Sequence, residues 1–184
     1  MSIRIYGNRQ LKTLPGLATR PTPSRVRQAL FNIWQGNITG CRWLDLCAGS
    51  GAMGAEALCR GAAEAIAIDQ SAPACRIIQQ NWQQVVQPHQ KIQVRRGGVL
   101  QQMATLSGTF DRIYFDPPYQ GELYQPVLEA IARRQLLAPG GELAAEHDPQ
   151  QPLPDRIPSQ TSSGLVAVRH KQYGNTALTF YGNA

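Results

Sequence analysis

The sequence predicts an α/β domain built on a mostly parallel sheet, and three stretches predict it. Between Arg42 and Asp69 a short apolar run, a glycine turn, a helical stretch, a second apolar run and an acid follow one another. Helical spacing over 72–86 leads to a strand at 92–94, and a helical turn over 100–106 leads to a strand at 112–115, so helices and strands alternate as in βαβ units. Near the C-terminus, runs at 165–173 and 176–181 flank Gly174-Asn175 and read as a terminal β-hairpin.

The 184 residues suit one domain with a full core, in which 1–19 form a small extension and 20–184 the core. No apolar run reaches the roughly 18 residues of a membrane span, and the start Met1-Ser2-Ile3-Arg4-Ile5 lacks the apolar region of a secretory signal, so a cytoplasmic protein is expected. Cys41, Cys47, Cys59 and Cys75 stand singly in apolar or helical patterns with no histidine at ligand spacing, which reads as reduced thiols and no metal site. The net charge of +6 is unevenly placed. Arg4, Arg9, Lys12, Arg20, Arg25, Arg27 and Arg42 precede Asp45 without a single acid, while later basic and acidic residues nearly balance. An acid-free basic segment is an electrostatic footprint for a phosphate backbone.

Taken in order, residues 3–14 alternate around Gly7-Asn8 as a hairpin carrying Arg4, Arg9 and Lys12, too small to be stable without leaning on the core. Thr22 is expected as the N-cap of a helix with Pro23 at its first position, and Val26, Ala29, Leu30, Ile33 and Trp34 form its apolar stripe. Such a helix start, with an available hydroxyl and free N–H groups, can hold a carboxylate. Residues 43–47 form a buried strand, 48–54 the glycine turn, and a helix runs on through Arg60 to a cap at Gly61. The next strand ends in Asp69, twenty residues after Gly49. Glycines admit a ligand close to the backbone, and the acid can bind a ribose diol, which together point to a nucleoside-type cofactor. Asp45 inside the first strand would repel a pyrophosphate but can help place an ammonium group, which favours S-adenosylmethionine over NAD; it can equally order the turn by accepting from backbone N–H groups. Helical spacing over 123–137, the turn Pro139-Gly140-Gly141, a strand at 142–146 and a proline-rich connection at 149–158 complete the chain.

The strand at 112–115 ends in Asp116-Pro117-Pro118-Tyr119, at the same sheet edge as the glycine turn. Asp116 and the Pro117 carbonyl can each accept a hydrogen bond from an exocyclic amino group, drawing its lone pair out of conjugation with the ring. Pro118 stiffens the turn and biases Pro117 towards extended backbone. Tyr119 offers a face on which a flipped base can stack. His89, His147 and His170 are scattered and carry no catalytic role, and Glu146 reads equally well as a site residue or as a solvent carboxylate at a strand end.

With these residues assembled, the chain resembles the RsmD family, bacterial methyltransferases acting on a guanine N2 of 16S ribosomal RNA. The resemblance rests on Arg20-Pro21-Thr22, Arg25-Val26-Arg27, Ala29-Leu30-Phe31-Asn32, Leu44-Asp45-Leu46 with Gly49-Ser50-Gly51, Glu56-Ala57-Leu58, Arg60-Gly61-Ala62, Asp116 to Tyr119, and Tyr173-Gly174. It implies the class I S-adenosylmethionine-dependent methyltransferase (Rossmann-like) fold, a seven-stranded sheet whose last strand is antiparallel. It also implies a cofactor site of Thr22, Asp45, Ala48, Gly49, Ser50, Gly51, Asp69, Gln70, Gly98 and Val99, with Thr22 near the methionine carboxylate and Asp69 on the ribose. Asp116, Pro117, Pro118 and Tyr119 would hold the base; Arg4, Arg9, Lys12, Arg20 and Arg25 would hold RNA, met within a 30S subunit or assembly intermediate by a monomer. Two positions depart from the family pattern: Asp69 stands in place of glutamate, and Arg96-Gly97-Gly98-Val99 lacks the acid that receives adenine, leaving backbone groups near Gly98 and Val99 for that task. Competing readings are the same chemistry on adenine N6 of DNA or on a protein glutamine, a non-catalytic nucleic-acid-binding module on this scaffold, and an NAD dehydrogenase, which Asp45 disfavours.

Overall fold

The computed structural model describes residues 2–14, 23–119, 122–161 and 164–184. The expected N-cap Thr22 and the basic Arg20 lie outside them. Ten strands and five α-helices follow in order among the described residues: β1 (Ser2–Ile5), β2 (Arg9–Lys12), α1 (Ser24–Ile33), β3 (Arg42–Leu46), α2 (Ala52–Cys59), β4 (Glu64–Asp69), α3 (Ala72–Val85), β5 (Lys91–Arg96), α4 (Val99–Met103), β6 (Phe110–Phe115), α5 (Tyr124–Arg133), β7 (Leu137–His147), β8 (Arg156–Ile157), β9 (Leu165–Tyr173) and β10 (Thr176–Asn183).

The main sheet has the order β5-β4-β3-β6-β7-β10-β9-β8, parallel from β5 to β7 and antiparallel where β10 lies between β7 and β9. Seven of these strands are those expected. The eighth, β8, is a two-residue edge strand paired with the start of β9 inside the proline-rich connection, too short to leave an alternating pattern in the sequence. Strand β7 begins five residues before the expected 142, so Pro139-Gly140-Gly141 lies within the strand, at an irregularity in its pairing with β6. Helix α5 ends at Arg133, and Gln135 adopts a left-handed φ of 51° that reverses the chain.

Alternation along the strands gives the sheet two apolar faces. On one, Trp43, Tyr114, Ala144, Leu178 and Phe180 pack with α1, α2 and α3. Phe31 stacks on Trp43 at 5.5 Å, and Trp34 meets the edges of Trp43 and Phe180 at 5.6 and 5.8 Å. On the other, Leu44, Ile113, Phe115 and Leu143 pack with Val127, Leu128 and Ile131 of α5. Each such side chain contributes about 1.5–3 kcal/mol by leaving water.

Helix α1 starts at Ser24, with Pro23 in the capping position rather than inside the first turn. Its Arg27 belongs to the acid-free basic segment, yet its side chain is buried. Nε pairs with Glu56 of α2 at 2.6 Å, and a second guanidinium nitrogen donates to the carbonyl of Arg4. A residue on the apolar stripe between Val26 and Leu30 is carried inward whatever its charge, and the acid on α2 compensates it. The hairpin β1-β2 leans on the core as expected, burying Ile5 and Leu11. Asn81 of α3 clamps it, accepting from Lys12 N at 2.9 Å and donating to Lys12 O at 2.9 Å.

Candidate active site

Strands β3 and β6 are neighbours and end together, Leu46 beside Phe115, so the glycine turn and the Asp-Pro-Pro-Tyr turn leave the same edge side by side. The Asp116 N–H donates to the Leu46 carbonyl at 3.3 Å and ties the two exits. Cys47, expected as the last strand residue, instead leaves the strand with a left-handed φ of 62°, and its N–H and that of Ala48 both reach the Ile68 carbonyl. Burial pushes the Cys47 thiol up to about 12, so it is no nucleophile at neutral pH.

The glycine turn is held from behind by side chains that bond its backbone. Asp45 is only 1 % exposed and accepts from the Gly54 N–H at 3.0 Å, which satisfies a free donor in the first turn of α2. That is the turn-ordering role the sequence left open beside the ammonium contact. Burial raises its carboxyl to about 8, against the opposing hydrogen bond from Gly54. Trp82 Nε1 donates to the Gly51 carbonyl at 2.8 Å and Asn81 Nδ2 to the Ser50 carbonyl at 2.8 Å. Gly51 has φ +71°, and a Cβ on Gly54 would meet the Trp82 ring at 2.2 Å, so α2 and α3 approach this closely only because both residues are glycine.

Asp69 ends β4 half-buried, and its two oxygens accept from Gly49 N at 2.9 Å and Ser71 N at 2.8 Å. Gln70 beside it is exposed. Space is open above Gly49 and above Gly98, where a Cβ would meet nothing within 4 Å. Gly98 precedes α4, and Gly97 N donates to the Asp69 carbonyl at 3.0 Å, which brings this glycine pair to the edge beside the acid.

The acceptor turn is held differently. Asp116 and Tyr119 are half-buried, Pro117 is buried and Pro118 exposed. Tyr119 is anchored by its hydroxyl, 3.0 Å from Glu146 Oε1 and 3.4 Å from Thr176 Oγ1. Glu146 is 3 % exposed and so is not a solvent carboxylate. Its other oxygen accepts from the Tyr114 hydroxyl, and its backbone carbonyl accepts from the Tyr124 hydroxyl at 2.9 Å. Burial pushes the Tyr119 and Tyr124 phenols up, so both remain donors at neutral pH. Phe115 of β6 pairs in register with Ala145 of β7, so Asp116 leaves the end of β6 where Glu146 continues β7. Of these polar residues, the sequence leaves Glu146 open between two readings and gives no role to Asn81. Asn81 falls on the apolar face of α3 with Ala74, Ile78 and Val85, and Glu146 closes an apolar strand; a polar group at a buried position is the signal that would have found both.

Of the expected RNA contacts, Arg4, Arg9, Lys12 and Arg25 are exposed, the first three on the hairpin. Arg9 also reaches the Val85 carbonyl at 3.4 Å and Lys12 the Gln80 side chain at 3.2 Å. His147, buried and bonded to Thr179 at 2.9 Å, is held neutral by its burial.

The family model described as Conserved hypothetical protein 95 matches residues 3–182. The chain is 34% identical over 176 residues to the Bacillus subtilis protein named "Putative rRNA methyltransferase YlbH", covering 94% of this chain and 92% of that one. It is 29% identical over 167 residues to Ribosomal RNA small subunit methyltransferase D of Escherichia coli strain K12, covering 91% of this chain and 80% of that one. A solved structure titled "Putative methyltransferase yhhF from Escherichia coli" superposes with a TM-score of 0.82 at 27% identity, covering 100% of this chain and 98% of the other. The chain belongs to the Conserved hypothetical protein 95 family, the one its motifs indicate under the name RsmD.

Proposed function

We propose that this protein is an S-adenosylmethionine-dependent methyltransferase acting on the exocyclic N2 of a guanine in 16S ribosomal RNA. The observation that carries the reading is the pairing of the Asp116-Pro117 acceptor turn with an open glycine turn on the adjacent strand, in a chain similar to proteins named as small-subunit rRNA methyltransferases.

The residues present fit the cofactor. The space over Gly49 and Gly98 admits a ligand against the backbone. Each Asp69 oxygen accepts one backbone N–H and keeps a lone pair for a ribose hydroxyl. Ala48, Gly49, Ser50, Gly51, Asp69, Gln70, Gly98 and Val99 would hold the nucleoside and methionine parts. Asp45 acts from behind the turn, and Thr22 would approach the methionine carboxylate. S-adenosylmethionine supplies a methyl group on a sulfonium, an electrophile that needs neither acid nor metal to activate it.

The chain's own task is therefore to orient the amine. The Asp116 carboxylate and the Pro117 carbonyl accept the two N–H bonds, which turns the nitrogen lone pair out of the purine ring system. Methylation makes the nitrogen acidic, and its proton passes to Asp116 or to water. Positioning and electrostatics carry the rate, with no dedicated base. Arg4, Arg9, Lys12, Arg20 and Arg25 hold phosphates around the flipped base. The protein works as a monomer in the cytoplasm, on 30S subunits or their assembly intermediates. Competition among 30S subunits lacking the modification, naked 16S RNA and adenine-containing duplex DNA tests this substrate assignment. Preferential labelling of the 30S particle is expected; preferential labelling of DNA would overturn it.

A further inference from the structure

We infer that Glu146 and Thr176 are positioning residues that hold the Tyr119 ring in place as a fixed wall for the target base. The inference rests on the functional reading above and deepens it. Glu146 is buried at the end of β7, and buried carboxyl oxygens need hydrogen-bond partners from the protein. One comes from the core: Tyr114 in β6, itself 1 % exposed, bonds one oxygen. Another comes from the acceptor turn, where the half-buried Tyr119 reaches 3.0 Å from the second oxygen. Thr176, buried at the start of β10, stands 3.4 Å from the same hydroxyl.

The anchor itself is immobilised from three sides. Glu146 pairs in register with Leu178 of β10, its carbonyl accepts from Tyr124 of α5, and Tyr114 fixes its side chain. A tyrosine on a surface turn, free to choose among rotamers, would have to be ordered each time a base docked against it. One whose hydroxyl is already tied to a strand end has met that cost in folding, the general advantage of preorganisation. Phenylalanine would offer the same stacking face without the tether, so the hydroxyl is the part of Tyr119 that this inference explains and stacking alone does not.

The test uses the full chain and 30S subunits lacking the modification, comparing wild type with Tyr119→Phe, Glu146→Gln, Thr176→Val and the Tyr119→Phe/Glu146→Gln double variant. S-adenosylhomocysteine affinity by calorimetry is the second readout. Tyr119→Phe is expected to lower kcat/KM for RNA about tenfold, and Glu146→Gln, whose amide oxygen can still accept from the hydroxyl, by less, both with cofactor affinity within about twofold of wild type. The double variant should be no worse than Tyr119→Phe alone, because without the hydroxyl no tether remains for Glu146→Gln to weaken. Thr176→Val should show a smaller loss in the same direction. Wild-type kcat/KM in Tyr119→Phe, multiplying losses in the double variant, or an equal loss of cofactor affinity would each overturn the inference while leaving the methyltransferase reading intact. A wild-type protein that labels no RNA would overturn both.

Discussion

The glycine turn after β3 and the Asp-Pro-Pro-Tyr turn after β6 leave neighbouring strands at one edge, yet opposite kinds of bond hold them. Asp45, Asp69, Asn81 and Trp82 all grip backbone groups of the first turn or of the helix it starts, and its outer surface stays open at Gly49. Tyr119 in the second is fixed by its side chain, through the hydroxyl, to Glu146. A cofactor read mainly through backbone needs a turn of set shape and spare room. A planar base needs a defined ring and a defined pair of acceptors. The first turn is therefore most sensitive to added volume, the second to the removal of single polar groups.

Asp116→Ala breaks the comparison most severely. It removes one of the two proposed acceptors of the amine, and kcat should fall by about 10²–10³-fold, the scale for losing one oriented partner of a transition state. Calorimetry should find S-adenosylhomocysteine bound as in wild type; a parallel loss of affinity would mean the two turns are not separable. Gly54→Ala probes the other side. Its Cβ would collide with Trp82, so denaturant unfolding should show a loss of about 1–3 kcal/mol, with weaker cofactor binding. Unchanged stability would show that the α2–α3 contact has room to give.

Asp45 supplies a pH signature. Its folded-state value of about 8 lies above the ordinary 3.8, so the native state holds the proton more tightly than the unfolded chain. Its contribution to stability is fully present below 3.8 and is lost as pH rises to about 8. Wild type should lose unfolding free energy relative to Asp45→Asn as pH rises through that window; parallel curves would rule out the buried proton. The smallest effect belongs to Arg25→Ala. Exposed on α1, it should lower the slope of log affinity for RNA against log salt by about one unit and leave turnover at saturating RNA near wild type. An unchanged slope would take Arg25 out of the interface.

How much of this was legible follows from what each feature depends on. The β3-turn-α2-β4 unit and the hairpin β9-β10 were readable because local periodicity and turn residues specify them. The placement of Asp116 beside the glycine turn followed from the alternation of strands and helices. The fate of Arg27 was not legible, because its partner Glu56 lies on another helix and only packing brings the two to 2.6 Å. Glu146 was ambiguous for the same reason: a carboxylate at a strand end is solvent-exposed unless tyrosines from elsewhere cover it, and Tyr114, Tyr119 and Tyr124 come from a strand, a turn and a helix. Strand β8 escaped because two residues have no period.

The most direct test of the central claim is transfer of labelled methyl from S-adenosylmethionine to 30S subunits lacking the modification, followed by digestion to nucleosides. Label is expected in N2-methylguanosine, formed about 10²–10³-fold more slowly with Asp116→Ala. Label in any other nucleoside, or no transfer by a protein that binds the cofactor, would contradict it.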